Sequence, residues 1–157
     1  MSAAERKRSA SPEGTERLGA ALAPSLRAGD VLALSGELGA GKTRFVAGLV
    51  HAFRPGARVR SPSFRLINEY PGSPPLVHLD LYRLAEREVD GLGLEEYAER
   101  AILAVEWGER LPRAWREQAL ALAIVAGEGD ERTLTASAEA GRGHELLAAW
   151  RALPEAW

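Results

Sequence analysis

One stretch constrains this chain more than any other. A short apolar run, Val31 to Ser35, is followed by Gly36-Glu37-Leu38-Gly39-Ala40-Gly41-Lys42-Thr43, and then by Phe45, Val46, Leu49, Val50 and Phe53. The apolar run predicts a buried strand. The later residues share one face at helical spacing, and Pro55-Gly56 closes that helix. Strand, glycine loop and helix together match the pattern G-x-x-x-x-G-K-[ST] in the context that gives it meaning.

Each residue type in that loop has a physical reason. Glycines let backbone N–H groups converge on one point without side-chain obstruction. The helix that follows aims the positive end of its dipole at the same point. Lys42 supplies a compact charge for the β- and γ-phosphates of a nucleotide, and Thr43 offers a hydroxyl to Mg²⁺. Gly36, Glu37, Leu38, Gly39, Ala40, Gly41, Lys42, Thr43 and the adjoining Arg44 are therefore the expected nucleotide-binding residues. Of the 20 basic residues only Lys7 and Lys42 are lysine. A guanine-reading Asn-Lys-x-Asp segment needs a later lysine, so ATP is favoured over GTP by exclusion.

A loop of this kind works with an acid at the tip of a neighbouring strand, holding magnesium or orienting the nucleophile. "LVHLD" ends in Asp80 and "ILAVE" ends in Glu106. Both acids are candidates on position alone.

The remaining elements follow from periodicity and turn signals. Ser11-Pro12-Glu13 predicts a helix start, with Leu18, Leu22 and Leu26 on one face and Gly29 as the stop. Residues 64–70 and 76–82, separated by "PGSPP", predict a hairpin, as do 120–124 and 133–138 around "GEGDER". "LGLEEYAER" predicts a short helix, Ala101 to Val105 a buried strand, and His144 to Leu153 a terminal helix with Leu147 and Trp150 inward. Residues 1–10 are expected to be a polar, mobile tail, and 11–157 a single P-loop ATPase domain. The expected fold class is α/β: a P-loop NTPase-like three-layer fold with a mixed parallel/antiparallel central sheet and helices on both faces.

Composition removes other classes. The 157 residues suit one domain with a real core, and a net charge of −2 gives no general field for nucleic acid. There is no cysteine, hence no disulfide framework or thiolate metal site. The longest apolar run, Ala119 to Ala126, is well short of the ~20 residues that span a bilayer. The N-terminal "MSAAERKRSASPEG" lacks the apolar core of a secretory signal. A cytoplasmic location and no membrane association are the expectation.

"GELGAGKT", "SPSF", "HLDLYRL", "LGLEEY" and "VEWGERLP" occur in this order. In order and spacing they resemble the TsaE (YjeE) family, over about Ser11 to Ser137. The "HLDLYRL" and "VEW" pair is far more specific than the glycine loop. The resemblance implies a small Mg²⁺-dependent ATPase, weak alone, that serves in making threonylcarbamoyladenosine beside the tRNA anticodon. It implies binding to the TsaB–TsaD heterodimer, contact with tRNA only through that complex, and ATP hydrolysis that resets the transferase between turnovers. It implies Thr43 and Glu106 as magnesium ligands and Asp80, with Lys42 and Glu106, as catalytic. It also implies Ser11, Trp107 and Arg132 near the nucleotide and Ser61 to Phe64 as a switch-like loop. Two positions depart from the common family pattern: Arg44 stands where a threonine is frequent, and Ser63 replaces the threonine of the switch loop.

Alternatives stay open at this level. Asp80 either positions the attacking water or braces the switch loop by pairing with Arg65 or Arg83. Arg83 is also a candidate internal arginine finger. The arginines at 54, 58, 60 and 65 fit either a solvated surface or a grip on an acidic or phosphate-bearing partner. His78, inside a strand, is expected to be packed or hydrogen-bonded, not a metal ligand. The competing functions are a small-molecule P-loop kinase, disfavoured by the lack of length for a lid, and a nucleotide-dependent binding module without turnover.

Overall fold

A computed structural model describes residues 4–62 and 66–157. Its centre is a seven-stranded mixed sheet in the order β1-β7-β6-β2-β5-β4-β3. The strands are β1 (Glu5–Ser9), β2 (Val31–Ser35), β3 (Ile67–Tyr70), β4 (Leu76–Asp80), β5 (Ile102–Glu106), β6 (Leu120–Ala126) and β7 (Arg132–Ala138). The four central strands β6, β2, β5 and β4 are mutually parallel, and β3, β7 and β1 add antiparallel partners at the two sides. Both hairpins expected from the turn signals are present. β2, β4 and β5 are apolar runs because a strand covered on both faces has no solvent side to keep polar.

Helices α1 (Pro12–Leu22), α2 (Lys42–Phe53) and α6 (Arg142–Arg151) cover one face. Leu18, Leu22, Phe45, Leu49, Leu147 and Trp150 meet Leu32, Leu34, Ile102 and Leu122 of the sheet there. Helices α3 (Glu86–Asp90), α4 (Leu94–Arg100) and α5 (Arg113–Gln118) lie on the other, where Val89 and Leu94 pack with Val77, Leu79, Leu103 and Val105. This is the three-layer α/β architecture expected from the sequence. Two glycines let α1 and α2 pack backbone to backbone: a Cβ on Gly48 would stand 1.9 Å from the Glu16 carbonyl oxygen, and one on Gly19 2.3 Å from that of Phe45.

The first helix is shorter than its apolar spacing suggests. It ends at Leu22, and Ala23–Ser25 form a 3-10 turn. Pro24 explains the break, since it lacks the N–H that would continue the ladder. Leu26 still reaches the core.

The expected mobile tail is corrected. Residues 5–9 are β1, antiparallel to β7 with Glu5 opposite Ala136 and Ser9 opposite Arg132. "ERKRS" has no apolar residue, yet alternation still separates its faces. Lys7 and Ser9 turn inward and are buried, while Arg6 and Arg8 stay exposed. The Lys7 ammonium lies 5.7 Å from the centre of the Trp150 ring and donates to the Leu153 carbonyl, 2.7 Å. Burial lowers the pKa of that ammonium from the usual lysine value. The outer edge of β1 is sealed by the C-terminal segment: Arg8 N–H donates to Glu155 O, Ala10 N–H to Trp157 O, and Trp157 N–H to Arg8 O. Among the described residues no helix is long and apolar enough to cross a membrane.

Candidate nucleotide site at the strand tips

The parallel register sets three strand ends level. Leu34 of β2 lies beside Glu106 of β5, and Glu106 lies beside Asp80 of β4. The glycine loop leaves β2 one residue later, and α2 begins at Lys42, so a helix N-terminus points at the same edge. In open α/β sheets this carboxyl edge is where ligands bind.

The loop takes its shape from its glycines. Gly36 has φ 143° and would place a Cβ 2.5 Å from the Ile124 carbonyl oxygen, so the turn off β2 admits no side chain. Gly41, with φ 113°, is the residue that precedes α2. Arg132, far off in sequence, props the loop from outside. Its Nε donates to Ala40 O at 2.8 Å and its Nη2 to Gly39 O at 3.4 Å.

A cavity of about 300 Å³ is lined by Leu38, Gly39, Gly41, Lys42, Thr43, Arg44, Ser61, Asp80, Glu106 and Trp107. A larger one of about 410 Å³ lies on the β6–β7 side of the sheet, lined by alanines, Ser35, Ser137 and three charged residues. The smaller cavity is the stronger candidate, because the glycine loop, a helix N-terminus and the two strand-tip acids converge only there.

Three of its charged groups are nearly sealed from solvent: Lys42 is 4% exposed, Glu106 5% and Asp80 8%. Buried charges need partners. The Lys42 ammonium donates to the Gly36 carbonyl and sits 4.8 Å from the centre of the Trp107 ring. Thr43 Oγ1 donates to Glu106 Oε2 at 3.4 Å. That same oxygen lies 2.7 Å from His78 Nε2. The approach is close but lacks hydrogen-bond alignment, and neither ring nitrogen of His78 has a hydrogen-bond partner among the described residues. One Asp80 oxygen accepts the Tyr82 N–H at 2.9 Å.

Trp107 follows Glu106 in the left-handed region, φ 59°, a conformation costly for a bulky residue. The turn brings its ring near both Lys42 and Tyr82, with the Tyr82 and Trp107 ring centroids 4.9 Å apart. Arg110 closes this group. Its guanidinium lies near both rings and its Nη1 donates to the carbonyls of Tyr82 and Leu84. Tyr82 is thus held twice, through its N–H by Asp80 and through its carbonyl by Arg110. Sequence reasoning missed Arg110. Its only local signal is its place three residues after Trp107.

The other expected residues divide. Arg44 lines the cavity, but its guanidinium pairs with Glu16 at 3.1 Å and Glu13 at 3.7 Å on α1. Ser11 is outside the cavity lining and caps α1 by accepting the Gly14 N–H at 3.0 Å. Arg132 lines a neighbouring cavity of about 280 Å³ with Arg8, Ser9 and Trp157. Gly36, Glu37 and Ala40 are outside the cavity lining; Glu37 is exposed and Ala40 buried. Arg83 is exposed, and Asp80 makes no ion pair with it among the described residues. Of the switch-like segment, Ser63 and Phe64 lie outside the described residues, as does Arg65. His78 is packed in the sheet as expected, though it lacks the hydrogen bond.

Fold and site together define an α/β protein with a parallel core and a glycine loop joining a strand tip to a helix N-terminus. The chain belongs to the TsaE family: the model for the threonylcarbamoyl adenosine biosynthesis protein TsaE matches residues 9–134. A protein of Nostoc sp. named tRNA threonylcarbamoyladenosine biosynthesis protein TsaE is 49% identical over 109 residues, 66% of this chain and 67% of that one. A Bacillus subtilis protein of the same name is 37% identical over 142 residues, 89% of each chain. The crystal structure of Bacillus subtilis YdiB superposes with a TM-score of 0.78 at 33% identity, covering 96% of this chain and 95% of that one.

Proposed function

We propose that this protein is the Mg²⁺-dependent ATPase of tRNA threonylcarbamoyladenosine synthesis, acting in the cytoplasm on the TsaB–TsaD heterodimer and touching tRNA only through it. Family membership supports the pathway. The observation that carries the chemistry is the meeting of Lys42, Thr43, Asp80 and Glu106 around one cavity at the N-terminus of α2.

The residues suit the substrate and the metal. A hydroxyl and a carboxylate 3.4 Å apart are hard oxygen donors of the kind magnesium takes. Thr43 and Glu106 would hold the ion, which when bound neutralises developing charge on the phosphates. The loop N–H groups and the α2 N-terminus cradle the phosphates. Lys42, exchanging the Gly36 carbonyl for phosphate oxygen, stabilises the charge that grows as the terminal phosphoryl departs. Asp80 orients the attacking water, with one carboxylate oxygen fixed by the Tyr82 amide. Trp107 roofs the lysine and keeps water from it.

The test is phosphate release from ATP by the purified protein, alone and with TsaB–TsaD. A slow basal rate, accelerated by the heterodimer and dependent on Mg²⁺, is expected. No hydrolysis under either condition overturns the proposal.

A further inference from the structure

Burial leaves His78 as the one side chain on the site's sheet face with no satisfied polar contact among the described residues. It is 0% exposed. On β4 it sits two residues before Asp80, and its register partner on β5 is Ala104, two before Glu106. Ala104 is small, which leaves room for the ring to lean across the strand gap. Nε2 comes to rest 2.7 Å from Glu106 Oε2. Glu106 is itself buried, and the Thr43 hydroxyl donates to the same oxygen at 3.4 Å. The carboxylate therefore stands between a hydroxyl above and an imidazole below.

We propose that His78 is a positioning residue for magnesium, acting through Glu106. It is not itself a ligand. A small ring rotation turns the close approach into an N–H donated to Oε2, fixing the carboxylate's torsion against Thr43. Outer partners of this kind set the orientation of ligating carboxylates and typically change metal affinity by roughly 10–100-fold. The proposal rests on the assignment of Thr43 and Glu106 as the magnesium ligands. Leucine at position 78 would fill the space but leave the carboxylate one donor short. Asparagine would keep an N–H on a shorter arm.

The experiment follows binding of a fluorescent ADP analogue as Mg²⁺ is titrated, and again in EDTA. His78→Leu should raise the Mg²⁺ concentration for half-maximal effect about tenfold or more, while binding in EDTA stays within about twofold. His78→Asn should recover part of the loss. An unchanged Mg²⁺ titration in His78→Leu, or an equal loss with and without Mg²⁺, overturns the proposal. A second measurement uses the unsubstituted protein and does not depend on the variants folding. In nitrogen-15 NMR the His78 ring N–H should shift when Mg²⁺ joins the nucleotide-saturated protein and stay put when nucleotide is added in EDTA. A ring signal indifferent to Mg²⁺ also overturns it. Failure of the underlying site assignment looks different: the unsubstituted protein would bind no nucleotide, or would bind it with no response to Mg²⁺.

Discussion

Asp80 and Glu106 are register partners at the ends of β4 and β5, so two carboxylates point to the same side of the sheet at the same height. Their surroundings differ. Glu106 leans toward Thr43 and the start of α2, whereas Asp80 is tied to the backbone of the segment that follows its own strand. In the proposed function the first would hold the cation and the second would orient the water.

Asp80→Asn keeps shape and removes charge. ATP binding should persist, and heterodimer-stimulated hydrolysis should fall by about a hundredfold or more, because an amide deprotonates or orients water poorly. Docking affinity and basal turnover measured on the same variant separate this from a bracing role. Weakened docking with intact turnover would make Asp80 a brace.

Lys42→Ala should lose hydrolysis by on the order of 10²–10³-fold, since the backbone cradle alone cannot match the charge forming on the terminal phosphoryl group. Near-normal single-turnover rates would remove the glycine loop from the chemistry.

If Thr43 and Glu106 hold the ion as proposed, Glu106→Ala and Thr43→Ala should each raise the Mg²⁺ concentration for half-maximal hydrolysis, with Glu106→Ala the larger because it deletes a charged oxygen donor. If Asp80→Ala shifts the Mg²⁺ titration and Glu106→Ala does not, the two acids have exchanged roles.

Gly48→Ala tests the scaffold and not the site. The added methyl would meet the Glu16 carbonyl oxygen at 1.9 Å and drive α1 from α2. A loss of roughly 1–3 kcal/mol is expected from such overpacking, read as a lower urea midpoint. An unchanged midpoint would mean that the helices separate at no cost.

Sequence showed most of this molecule where local chemistry decides structure. The loop from Gly36 to Thr43, its strand and its helix were legible because glycine, apolar periodicity and turn residues all act over a few neighbours. β1 was not, because its partner β7 lies over a hundred residues away and its inward residues are Lys7 and Ser9, which read as solvent-facing until a neighbour covers them. Pro24 ended α1 early although Leu26 kept the helical spacing. In the site, both acids could be found at strand ends. The contacts of Arg132 with Ala40, of Arg110 with Tyr82 and of His78 with Glu106 needed the strand order and register, which no single segment encodes.

The pairing of β1 with β7 also sets a schedule. β1 leaves a ribosome well before β7, so it can pair only after the β6–β7 hairpin has emerged, and its outer seal waits longer still, for residues 155–157. Until then the nascent chain holds β1 without its lateral partner, and a non-local closure of this kind is slow because the loop entropy is lost before the contact repays it. The polar, arginine-rich character of "ERKRS" suits that interval: a strand that must wait alone is least prone to stick when its side chains are charged.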